Sequence, residues 1–205
     1  MSKENITNIK KRARTIHNFI SVILLIGVII FIGVFIAVVF SIIASPERFT
    51  AVKGDLNWHV SYNLSNSSSF FIDIPYKIMQ PIDTPMFSAK YAAISSLLSI
   101  LIKVSITLFG LYQVVNILKY TLNDLTPFIM DNVKRLKKLA FSIIVYSVVA
   151  DILSSILFST LVTRVYMLNL SNIHLSGVLV GGLILVIADI FKYGVYLQNE
   201  FDTTL

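Results

Sequence analysis

Four long apolar runs, at about 19–43, 91–118, 139–163 and 177–196, divide the chain, with polar or basic stretches between them. At a helical rise of about 1.5 Å per residue, roughly 20 residues cross the hydrocarbon of a bilayer, so each run is long enough to span. The first is the longest, since no Asp, Glu, Lys or Arg interrupts 15–46, and its excess length allows tilt or a protruding outer end. A cleavable signal peptide has an apolar core of only about 7–15 residues, so this run predicts a retained signal anchor. Between the first and second runs, 45–88 changes to polar residues and turn formers. Within it Leu56, Trp58, Val60 and Tyr62 occupy alternate positions, the period of a half-buried strand. A second strand is predicted over 69–79, with the polar turn NLSNSSS before it. The segment either closes as a small β-hairpin or runs as an irregular connector. Two strands alone are marginal in water, so a hairpin has to pack on the helices or on the membrane surface.

Composition agrees with the pattern. Of 205 residues 56% are hydrophobic and only 14% charged, too apolar for an ordinary soluble domain. The expectation is an all-α integral membrane protein of four transmembrane helices, folded as a single membrane domain over 1–205, because no repeat or linker divides it. The net charge of +6 comes from basic residues that flank the apolar runs. That placement suits topology and anionic lipid, and direct nucleic-acid binding is not expected. With no cysteine, disulfide and thiolate chemistry are excluded.

The basic clusters orient the chain. Lys10, Lys11, Arg12 and Arg14 precede the first run, and Lys134, Arg135, Lys137 and Lys138 fall in the connection 119–138. Lys and Arg beside a span stay on the cytoplasmic side, which puts both termini and 119–138 inside and 45–88 outside. The stretch TPFIMDNVKRLKKLA starts like a helix, with Thr126 as N-cap and Pro127 at the first helical position.

Two spans carry one charge each, Lys103 in the second and Asp151 in the third. Counted from Lys119 and Lys138, they lie roughly 24 Å and roughly 20 Å deep at the helical rise, less than a turn apart. Ser96, Ser99, Lys103, Thr107 and Gly110 share one helical face, and Ser147, Asp151, Ser154 and Ser155 share another. A lone charge at the centre of a span costs about 2.5–3.5 kcal/mol, so Lys103 and Asp151 are the candidate intramembrane ion pair. The pair either forms a polar site for a proton or ligand, or fixes helix register as a structural salt bridge. The second role is preferred because no ligand-binding pattern accompanies it. In the fourth run Gly177 and Gly181 form GxxxG, a candidate for close helix packing. The pattern is compatible with a homo-oligomer, and equally with a partner helix in the same chain. Asp189 and Lys192, three residues apart, are expected to neutralise each other.

No residue pattern points to catalysis, a cofactor or a metal. His17, His59 and His174 lack metal-ligand spacing, although His59 and His174 could approach one another above the membrane. No HExxH, nucleophile elbow or phosphate loop occurs, so the expectation is a protein that is not an enzyme. A small transporter is weakly supported, because neither an inverted repeat nor an interrupted helix is evident.

Two stretches resemble the bacterial family catalogued as domain of unknown function 2975. Its members typically show a Pro-Phe, an acidic or amide pair and a basic Leu-containing helix, matched here by Pro127, Phe128, Asp131, Asn132, Lys134, Arg135 and Leu136. They typically close with a Gly, a Leu and an acidic pair before a Thr and an aliphatic residue, matched by Gly194, Leu197, Glu200, Asp202, Thr204 and Leu205. Thr126 stands where a small residue is common, and Thr-Leu ends the chain where Thr-Val is usual. The resemblance implies a multi-pass protein of a bacterial plasma membrane. Members are often encoded beside a very small helix-turn-helix DNA-binding protein, which implies a membrane partner that holds or releases a transcription regulator. Pro127, Phe128, Asn132, Lys134, Arg135, Lys137 and Lys138, with the C-terminal tail, would then be the cytoplasmic docking surface. Contact of the basic helix with anionic lipid is an equal alternative for those residues. A self-protection protein against a membrane-active peptide is the alternative function.

Overall fold

A computed structural model describes residues 3–65, 68–76, 88–124, 128–165 and 173–204. The elements are α1 (Lys3–Ile43), β1 (Phe49–Lys53), β2 (Asn57–Ser65), β3 (Ser68–Pro75), α2 (Ala89–Asp124), α3 (Met130–Phe158) and α4 (Leu175–Thr204). Each helix holds a stretch long and apolar enough to cross a membrane by length and composition: Lys10–Ile43, Ala89–Leu122, Met130–Thr163 and Leu175–Phe201. Past its charged first turns, α1 is apolar around its circumference and leaves Phe19, Ile29 and Ile36 largely exposed. Such a helix suits a hydrocarbon surround or burial by other protein surfaces. The helices outrun the apolar runs. α2 continues to Asp124 and α3 begins at Met130, so most of the basic connection is helical, while Thr126 and Pro127 lie outside the described residues. α4 carries on to Thr204, making the polar tail a helix end.

The segment after α1 is a three-stranded antiparallel sheet in the order β1-β2-β3. The hairpin of β2 and β3 pairs Trp58 with Ile74 and Val60 with Ile72. Residues 77–79 of the expected second strand lie outside the described residues. β1 was not legible in the sequence: five residues ending in Lys53 show too little alternation to separate from the run before them. It pairs Ala51 with Val60 and Phe49 with Tyr62, entering from a 3-10 turn at Pro46–Arg48. Strand geometry sends alternate side chains to one face, so Phe49, Ala51, Trp58, Val60, Ile72 and Ile74 form a single apolar surface.

The residues fall into two compact units. One comprises Ile30–Val104 and Val148–His174. Its core joins the apolar face of the sheet to Ala92 and Ala93 of α2 and to Phe158 and Val162 at the end of α3. Val60 and Ile74 are each 1% exposed there, and full burial of such a side chain is worth about 1.5–3 kcal/mol. α3 closes in a π-helical turn, Ser159–Thr163, followed by Arg164 in the left-handed region at φ 54°. Lys90 donates to the carbonyls of Ile42 and Ala44 at 2.8 Å each, capping the end of α1.

The other unit comprises Met1–Ile29, Ser105–Ser147 and Leu175–Leu205. Here helices approach through small residues. Gly177 lies against the Ser147 hydroxyl, and a Cβ on Gly181 would stand 3.0 Å from the Ala140 carbonyl oxygen. The GxxxG pair therefore packs on α3 of the same chain, and the backbone approach it permits is the reason glycine is required.

Candidate functional site

In the unit that contains the sheet, α2 and α3 bring Lys103 and Asp151 together, Nζ to Oδ1 at 2.7 Å. The second carboxylate oxygen of Asp151 meets His174 Nε2 at 3.2 Å. The side chains are 28%, 17% and 56% exposed for Lys103, Asp151 and His174, so the acid is the most buried of the three. One carboxylate is thus shared between an ammonium and an imidazole, with both oxygens engaged. The serine faces continue this seam. Ser154 donates to the Ala150 carbonyl at 2.8 Å, so its proton is committed and Ser99 is the donor in the Ser99–Ser154 hydroxyl bond. Such interhelical hydroxyl bonds hold α2 and α3 in register.

His174 is a third member that the depth match of Lys103 and Asp151 does not include, and it does not approach His59 through a shared acid. The structure sends the two histidines to different acids: His59 Nδ1 lies 2.5 Å from Asp73 Oδ1, its register partner across β2 and β3. The sequence did offer one signal for the triad. His174 directly precedes the apolar run of α4, where the chain re-enters the helices.

The second cluster is the basic start of α3, within the other unit. Asn132 is fully buried and accepts a hydrogen bond from Arg135 at 3.1 Å, so it is removed from any docking surface. The Arg135 guanidinium stacks 4.0 Å from the centre of the Tyr120 ring, tying α3 to α2. Lys137 pairs with Asp189 of α4 at 2.9 Å, so the expected partner of Asp189, Lys192, is replaced. Lys192 instead lies 5.8 Å over the Tyr196 ring. Phe128 packs on Phe191 with ring centres 5.2 Å apart and covers Gly194, where a Cβ would stand 2.6 Å from its ring. Pro127 lies outside the described residues. Of the seven expected docking side chains, Arg135 and Lys137 thus tie α3 to other helices, Asn132 is buried and holds Arg135 within α3, and Phe128 packs on α4. What faces outward is Lys134, 3.7 Å from Asp131, and Lys138. On α4, Tyr193, Leu197 and Phe201 follow at four-residue steps and are 65%, 38% and 69% exposed, an apolar stripe on the final turns.

Four apolar helices with a small sheet, a charge triad between two helices and a basic helix start define a multi-pass membrane protein. The chain belongs to the family described as Protein of unknown function (DUF2975), whose model matches residues 76–205. No curated protein and no solved structure matches the chain. Within the matched range Phe128 rests on Gly194, and Asn132 engages Arg135.

Proposed function

We propose that this is a non-enzymatic protein of the bacterial plasma membrane, with both termini cytoplasmic, that docks a small helix-turn-helix transcription regulator. The observation that carries the reading is the exposed pair Leu197 and Phe201 on the last turns of α4, past the fourth apolar run of 177–196 and in the same unit as the outward Lys134 and Lys138. Exposed apolar side chains and exposed cations in one unit suit an amphipathic helix with acidic flanks on a small partner. Tethering competes with operator binding, and a signal that changes the tether's affinity releases the regulator. The sheet, on the opposite side of the bilayer under the positive-inside rule, receives that signal.

The test is a crosslinked pull-down from the native host. Wild type is compared with a variant carrying Lys134→Gln, Lys138→Gln and Phe201→Ala, which leaves Arg135 and Lys137 in their packing roles. Recovery of a small DNA-binding protein by the wild type alone, at equal accumulation, supports docking. Equal recovery by both, or none, overturns it. Self-protection against a membrane-active peptide is the second reading, favoured by the uncovered Leu56, Phe70 and Phe71 of the sheet region. Peptide sensitivity of a deletion strain tests it.

A further inference from the structure

A cavity of about 490 Å³ lies between the end of α1, the sheet and the start of α2, all within one unit. Gly33, Ala37 and Phe40 of α1, Tyr62 of β2, Phe70 of β3 and Ala93 of α2 form its apolar walls. Its volume falls in the range of about 300–1,000 Å³ usual for small-molecule sites.

Three observations say what fills it. The wall contributed by α1 belongs to a helix exposed and apolar all round, with Ile36 61% and Phe40 50% exposed, so the medium at the cavity is hydrocarbon. Phe70 and Phe71, which also line it, are 68% and 74% exposed, an uncovered aromatic rim on a strand. The third is a cation at the polar end. Arg48 is exposed and donates from Nη1 to the Tyr62 hydroxyl at 3.3 Å, while the Tyr62 ring packs edge-on against Phe40 with centres 5.8 Å apart. A guanidinium carries five N–H donors, so after this bond Arg48 can still grip a phosphate in a bidentate pair. Lys90, at the start of α2, is committed to the carbonyls that end α1.

We propose that the cavity binds an anionic phospholipid of the surrounding bilayer, with one acyl chain between α1 and the sheet and the phosphate on Arg48. This site stands apart from the regulator docking proposed above and does not depend on it.

The experiment reconstitutes the full-length protein in phosphatidylcholine vesicles doped with a lipid bearing a photoreactive acyl chain, on either a phosphatidylglycerol or a phosphatidylcholine headgroup. Crosslinked residues are mapped by mass spectrometry. The phosphatidylglycerol probe is expected to label Phe40, Phe70 and Ala93 preferentially. Arg48→Gln lowers that labelling about fivefold, the worth of one cation beside an anionic surface. Gly33→Phe abolishes it, because no heavy atom lies within 4 Å of a Cβ at that position and the ring can fill the cavity. Emission of Trp58, the only tryptophan and a member of the core beneath the sheet, reports folding of each variant. Where Gly33→Phe alters that emission, Ala37→Leu makes the same test from the next turn. Labelling spread evenly over the exposed face of α1, insensitivity to both cavity-filling changes, or equal labelling from the two headgroups overturns the proposal.

Discussion

Removing Asp151 should destabilise the protein more than removing either of its partners, and removing Lys103 as well should restore much of the loss. Breaking a fully buried ion pair costs about 3–5 kcal/mol because the remaining charge is stranded. Here the side chains are 28% and 17% exposed, so solvent screens part of that penalty. Asp151→Ala strands Lys103 and deprives His174 of its acceptor, and we expect a loss of about 2–3 kcal/mol, close to the insertion cost of a lone central charge. Lys103→Ala leaves Asp151 still engaged by His174, so the loss falls to about 1–2 kcal/mol on the same scale. The double variant removes both charges and should lie about 1 kcal/mol below wild type, a coupling of about 3 kcal/mol, the upper end for residues in one ion-pair network. Thermal unfolding in detergent, followed by Trp58 emission, reads this directly, because Trp58 and the triad belong to one unit. At about 2–4 °C per kcal/mol for a chain of this size, Asp151→Ala should lower Tm by roughly 5–10 °C. A double variant whose loss equals the sum of the two singles would refute the pairing as an energetic unit. A charge swap is the poorer test, since Asp151→Lys would place an ammonium against His174.

Further predictions separate packing from surface roles. Gly181→Ala should destabilise by about 1–3 kcal/mol through overpacking against α3, whereas Gly182→Ala, with nothing within 4 Å of its Cβ, should leave Tm unchanged or raised; parallel melts compare them. Asn132→Ala should cost about 1–3 kcal/mol by leaving Arg135 without its buried acceptor, and reduced accumulation at unchanged transcript level checks it. Lys134→Gln and Lys138→Gln together should shift stability by no more than about 0.5 kcal/mol, as surface changes do, and Lys137→Gln, whose pair with Asp189 is 40% and 67% exposed, should cost at most about 1 kcal/mol. Phe128→Ala should open the contact with Phe191 and Gly194 and, because the residue is 39% exposed, cost about 1–2 kcal/mol, below the loss for a fully buried ring, read by the same melts.

The sequence by itself determined the class, the number of long apolar helices and the approximate depth match of Lys103 with Asp151, because length, hydropathy and helical rise are properties of consecutive residues. It also offered β2 through the alternation of Leu56, Trp58, Val60 and Tyr62, with a second strand after it, but left a hairpin and an irregular connector equally open. The tertiary structure decided what depends on which surfaces meet. β1 exists because Phe49 and Ala51 find Tyr62 and Val60 across a strand, a pairing with almost no local signal. His174 joins Asp151 because α4 starts beside α3, and the same antiparallel packing gives Asp189 to Lys137 rather than to its helical neighbour Lys192. Asn132 shows the limit most plainly. In a run of polar and basic residues it reads as surface, yet it is buried, because the face a helix hides is set by the helices that cover it and not by the polarity of its own sequence.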